Sequence, residues 1–170
     1  LLRRGEGTGP LPTVPTPTDW TSGAALLVRR QVFEEIGLLD EDLYTYFDDI
    51  DLCLRARRAG WPTWVVPDSH VVHLMGQSTG TTQRDTRPKR RPTYWFQARR
   101  HFWLKNYGPL TTAAADAAWI SGYALWRLRR LVQRLPDNDP PHLLSDALRH
   151  NVFVTGFRKR PVPNPALAGA

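Results

Sequence analysis

A chain of 170 residues is enough for one domain with a real core, or for part of a larger one. Its lone cysteine, Cys53, excludes an internal disulfide and fits a reducing, cytoplasmic setting. The net charge of +7 is unevenly spread: Arg84 to Arg134 holds twelve Lys or Arg against Asp85 and Asp116, a local +10 that implies an anionic partner. A diphosphate-bearing substrate, an anionic membrane surface and nucleic acid all fit that charge.

The chain opens on Leu1 rather than methionine, and LLRRGEGTGPLPTVPTPTDW is rich in Pro, Gly and Thr. It predicts a linker or loop over 1–18 in a piece of a longer chain, with no visible targeting segment. Trp20-Thr-Ser-Gly23 then leads into Ala24 to Val28, a short apolar run that predicts a buried strand behind a small-residue turn. Gly23 lets the backbone pass close to a neighbour, or serves only its turn. Arg30 to Ile36 predicts a short helix closed by Gly37, with Val32, Phe33 and Ile36 inward.

The triplet Asp40-Glu41-Asp42 predicts a turn and a cap, as does Asp137-Asn138-Asp139 in its Pro-rich surroundings. Tyr44 to Gly60, YTYFDDIDLCLRARRAG, is the stretch that concentrates chemistry. Asp48, Asp49 and Asp51 stand at the head of a predicted helix whose apolar set is Ile50, Cys53 and Leu54, and Arg55, Arg57 and Arg58 end it before Gly60. Two readings are open. Either Asp48 caps the helix and the other charges answer its dipole, or the carboxylates are placed for acid/base work.

Beyond the breaker Gly60-Trp61-Pro62, Thr63 to Val66 and His70 to Leu74 predict two short β segments around Pro67-Asp68. Gly76 to Pro92 is polar, then basic, without apolar periodicity, and predicts a loop. Thr93 to Tyr107 predicts a helix ended by Gly108-Pro109. Its interleaved aromatics and bases also describe nucleic-acid surfaces, but no recognised nucleic-acid motif accompanies them and a core-facing stripe fits better. Leu110 to Leu135 is interrupted too early by Asp116 to span a bilayer, which leaves an interfacial helix or one packed on the domain. Pro136 to Pro141 breaks it, Leu143 to Phe153 predicts one more helix, and a Pro-rich tail follows.

The ordered blocks DWTSGAALLVRRQVFEEIGLLDEDLYTYFDDIDLCLRARRAGW and VVPDSHVVHLMGQSTG resemble the second half of a family 2 glycosyltransferase catalytic domain. The likeness runs from Asp19 to Gly80 and more weakly to Gly108. The nearest subgroup is the bacterial rhamnosyltransferase-like one, which builds cell-surface polysaccharide, and GFRKRPVPNPALAG resembles its C-terminal ending. The resemblance implies an α/β fold, the second half of a type-A, Rossmann-like glycosyltransferase domain over 19–92, then a mostly helical extension over 93–155 and a tail over 156–170. It implies an inverting sugar transfer from a nucleotide-sugar donor to a lipid-linked or glycan acceptor.

On that resemblance Asp49 is the catalytic base, since an attacking hydroxyl needs a carboxylate to take its proton. Asp48, standing where a glutamate is more usual, falls with Gly23 and Trp20 on the acceptor or substrate side, and Asp51 braces the helix or its arginines. His73 takes a metal-ligand role, and Gly76, Gln77 and Ser78 belong to a lid over the diphosphate. A divalent ion, Mg or Mn, is expected, bound mainly by residues outside this chain, because the family's metal-binding Asp-x-Asp lies in the first half of the domain and not at Asp40 to Asp42. The expected location is cytoplasmic, at the inner face of the cell membrane, with peripheral contact through Leu110 to Arg134 and no nucleic acid. The competing reading, a non-catalytic basic module on anionic membrane or nucleic acid, accounts for the charge but leaves the carboxylates and His73 idle.

Overall fold

The structure, a computed structural model, describes residues 12–72 and 89–163. The chain divides into two compact units, Leu1–Glu41 with Phe47–Leu74, and Asp42–Tyr46 with Met75–Ala170.

In the first unit, β1 (Thr16–Thr18) pairs antiparallel with the later strand β2 (Thr63–Val65), with Thr16 opposite Val65 and Thr18 opposite Thr63. The expected linker over 1–18 therefore contains a strand. Pro17 sits at its centre, which suits an edge position, because proline has no amide to give to a further neighbour. Ala24 to Val28 does not form the expected strand: Gly23–Ala25 is a single 3-10 turn capped by the Ser22 hydroxyl, and Leu26 is extended but outside the sheet. A strand is defined by its ladder, and among the described residues the only sheet is β1 with β2. Leu27, left without cover, is 98% exposed.

Helix α1 (Arg30–Ile36) has its predicted bounds and ends where Gly37 takes φ 79° and donates its N–H to the Phe33 carbonyl. Helix α2 (Asp48–Arg58) buries Leu52, Cys53, Leu54 and Ala56, so the lone cysteine is a core side chain as its helical position predicts. Trp61 Nε1 donates to Glu35 on α1 at 2.7 Å. His70 to Val72, the described part of the second β segment expected beyond Pro67, is not strand.

The second unit is built on α3 (Thr93–Val132), a 40-residue run broken at Gly108, where φ 77° and ψ 176° are non-helical. Gly108 and Pro109 end one helix, as the sequence predicts, and start the next without a gap. Proline's fixed φ and missing amide suit the first position of the new arm. Helices α4 (Leu143–His150) and α5 (Val152–Thr155) pack against α3. They replace the single helix expected from Leu143 to Phe153, because Asn151 adopts an extended conformation and accepts the Phe153 and Val154 amides as the α5 cap. Phe96, Ala98, Phe102, Leu104, Ala147 and Val152 form the core. The Pro-rich tail is anchored as far as Val162, which is buried and donates its N–H to the Asp42 carbonyl at 3.0 Å.

Several arginines of the basic stretch are paired or buried within the unit. Arg90 makes a two-pronged pair with the buried Asp146, at 2.8 and 2.6 Å, and Arg130 pairs with both Asp137 and Asp139, at 2.7 Å each. Arg99 pairs with Asp116. Arg100 is buried, and burial first, then the charge of Arg160, lowers its pKa. Asp137 also accepts the Asp139 amide at 3.1 Å, so the Asp137-Asn138-Asp139 triplet has a structural role, as predicted. Tyr123, bonded to Asp139 at 2.9 Å, is pushed up to about 12 by burial and that bond.

Candidate active site

The head of α2 carries the site. Its first residue is Asp48, and the cap position before it belongs to Phe47, not to a carboxylate. Phe47 lies in the left-handed region at φ 68°, and Thr45 does too at φ 62°. A bulky residue in that region is strained by about 1–3 kcal/mol, a kind of strain that collects at functional sites. The expectation that Asp48 caps the helix fails because Phe47 occupies the non-helical position and its carbonyl receives the Asp51 amide at 2.8 Å.

The three carboxylates at this helix start have three different environments. Asp49 is half-buried, and each of its oxygens accepts a backbone amide: Oδ2 from Gly23 at 3.0 Å and Oδ1 from Ile50 at 2.8 Å. Two residues that the sequence singles out separately, 26 positions apart, are therefore in contact. A Cβ built on Gly23 would lie 3.6 Å from the Asp49 Cβ and 3.8 Å from its Oδ2, ordinary van der Waals distances. Gly23 contributes through its amide more than through a missing side chain.

Asp48 is half-buried, and its pKa is raised, by burial first and then by the charges of Asp49 and Asp51. Asp51 is 0% exposed and accepts from Arg55 Nε at 2.8 Å. The same guanidinium reaches the Ile36 and Leu38 carbonyls at 2.7 Å, closing the end of α1 onto α2. This is the bracing role expected of Asp51, and it satisfies carbonyls that the end of a short helix leaves open.

The remaining expected site residues divide plainly. Trp20 lies on the approach to the 3-10 turn, half-buried, its carbonyl accepting from Thr18 at 3.2 Å, while the neighbouring Asp19 pairs with Arg57 near the end of α2. His73, Gly76, Gln77 and Ser78 lie outside the described residues. The acidic triplet alone is too small a donor set for a divalent ion, because Asp51 is shut in against Arg55 and only Asp48 and Asp49 are left to offer oxygens. Any metal would need donors beyond these three.

Two features escaped the sequence. Thr21 to Val32, α2 and the β2 region enclose a groove of about 790 Å³ lined by Leu26, Val28, Val32, Cys53, Trp61 and Val65. Thr21, Arg29, Thr63 and Ser69 also line it, and none of the three carboxylates does. In the second unit Tyr44 and Tyr46, the residues leading to the acids, pack on Tyr94 with ring centroids 5.7 Å apart in each case. Burial raises the Tyr94 pKa. Alternating tyrosines just before an acidic helix start are the only sequence signal for that cluster.

Comparison with known proteins identifies the family. Residues 17–102, just over half of the chain, match the family described as "Glycosyltransferase like family 2". An N-acetylglucosaminyl-diphospho-decaprenol L-rhamnosyltransferase of Mycobacterium tuberculosis is 40% identical over 86 residues, 50% of this chain and 28% of that protein. The dTDP-rhamnosyl transferase RfbF of Shigella flexneri is 30% identical over 111 residues, 62% of this chain and 36% of that protein. The rhamnosyltransferase WbbL of Escherichia coli is 40% identical over 58 residues, 34% of this chain and 22% of that protein. The chain thus spans about a fifth to about a third of the length of these relatives. No solved structure matches it significantly.

Proposed function

From the membership of this chain in glycosyltransferase family 2, we propose that it supplies the proton-accepting side of a type-A, Rossmann-like catalytic domain. The reaction is an inverting transfer of a sugar, with rhamnose favoured by the relatives' names, from a nucleotide-sugar donor to an acceptor hydroxyl. The observation that carries this reading is the Asp49 carboxylate, fixed at the head of α2 by the Gly23 and Ile50 amides. Asp49 takes the proton of the acceptor hydroxyl as its oxygen attacks the anomeric carbon and the nucleoside diphosphate departs. A positioned base of this kind contributes about 100-fold or more.

Asp48, Gly23 and Trp20 form the acceptor side, and the strained Phe47 backbone helps set the carboxylates' direction. His73 would ligate a divalent ion, Mg or Mn, held mainly by residues outside this chain, and Gly76, Gln77 and Ser78 would form the lid over the diphosphate. When bound, the ion neutralises charge on the departing diphosphate. The acceptor is a lipid-linked glycan, a reading supported by the decaprenol relative's name, and the proposed location is the inner face of the cell membrane. The alternative of a purely basic binding module is weakened because Arg90, Arg99 and Arg130 are paired within the fold.

The test is product stereochemistry. The intact enzyme, given a nucleoside-diphosphate rhamnose and a prenyl-diphosphate N-acetylglucosamine acceptor, should yield a disaccharide of inverted anomeric configuration by NMR. Retained configuration, or hydrolysis alone, would refute the proposal.

A further inference from the structure

We propose that the outward face of α3 beyond Gly108 docks on an anionic lipid surface. Leu125, Leu128, Leu131 and Val132 are 58 to 76% exposed, on a helix whose opposite face buries Thr112, Asp116 and Arg130. Leu110, 86% exposed, lies 18 residues before Leu128, five whole turns of about 3.6 residues, and so continues the same face. An exposed apolar stripe of this length marks an interaction surface.

The charges choose the occupant. From Leu110 to Leu135 the acidic residue is Asp116 alone, 3% exposed and spent inside the unit on Arg99 and the Val152 amide. Arg127 and Arg129, both exposed, lie on either side of the leucine stripe, so its solvent border is cationic. A second copy presenting this face would bring no exposed carboxylate to meet them. A bilayer of anionic lipid offers what the face lacks, apolar depth for the leucines and phosphate for the guanidiniums. Among the described residues no helix is long and apolar enough to cross a membrane, so the face lies on the bilayer and does not span it.

The lipid surface deepens the lipid-linked acceptor reading above and rests on it, since such an acceptor has its reactive end at a membrane. Co-sedimentation of the intact enzyme with phosphatidylcholine vesicles, and with vesicles containing phosphatidylglycerol, tests it. Binding to the anionic vesicles is expected, weakened about fivefold for each of Arg127→Ala and Arg129→Ala, and abolished by Leu125→Asn with Leu128→Asn. These side chains are exposed, so the folded helix should persist by circular dichroism. Equal absence from both pellets, binding unchanged in the leucine variant, or concentration-dependent self-association abolished by the leucine variant in place of lipid binding would overturn the proposal. Turnover on a water-soluble, short-chain acceptor separates the two claims: it persists if only the docking face is wrong, and it is missing if the enzyme reading is wrong.

Discussion

Asp49→Asn separates catalysis from folding at one atom pair. Asparagine keeps the size of the side chain and one carbonyl oxygen, so one of the two amides, Gly23 or Ile50, keeps its acceptor while the other faces an NH₂ group. One such hydrogen bond contributes about 1 kcal/mol, which in a domain of this size moves the thermal midpoint by about 2–4 °C. Catalysis loses far more. Removal of a positioned base costs about 100-fold or more in kcat, or about 2.7 kcal/mol of barrier. Nucleoside diphosphate release by the intact enzyme, at saturating donor and acceptor, measures the first quantity and differential scanning fluorimetry the second. The expected result is a large loss of kcat with a small thermal shift and unchanged donor affinity. A variant that kept kcat within about threefold of the parent, against the 100-fold expected of a base, would refute the assignment and direct attention to Asp48.

Asp51→Asn should do the reverse, since it leaves the Arg55 guanidinium without its buried partner. Arg55 keeps its bonds to Ile36 and Leu38, so the loss is about 2–3 kcal/mol, somewhat below that of a fully buried broken pair, and the thermal midpoint should fall by about 5–10 °C with kcat little changed. Asp48→Asn should stabilise the protein at neutral pH. The folded-state pKa of Asp48 is raised above its ordinary 3.8, so its stabilising contribution is complete below that value and is lost as pH rises through the folded pKa. The thermal advantage of the variant should therefore shrink as pH is lowered toward 3.8, and an advantage independent of pH would contradict the burial argument.

The sequence was most legible where periodicity and punctuation coincide. Arg30 to Gly37 and Asp48 to Gly60 combine an apolar face with a glycine that can take positive φ, and both helices lie where that pattern places them. Legibility failed where a neighbour decides the outcome. Ala24 to Val28 has the apolar composition of a strand, but composition does not supply a ladder partner. Phe47 gives no local sign that it will take the left-handed cap position in place of Asp48, because side-chain chemistry favours the aspartate. The contact between Gly23 and Asp49 joins two separate signals and needed three-dimensional placement to appear. Asp116 was visible only as an interruption in an apolar run, whereas its actual work is to bond Arg99 and the Val152 amide.

That work makes Gly108 an elbow instead of a hinge. Arg99 lies before the break in α3 and Asp116 after it, and the second oxygen of the carboxylate holds Val152, 0% exposed, at the start of α5. Swinging the downstream arm would strip a buried carboxylate of two partners at once, in a place that water does not reach to replace them. Asp116 therefore ties the two arms of α3 and the start of α5 together, and a movement of the downstream arm at Gly108 would have to break both bonds.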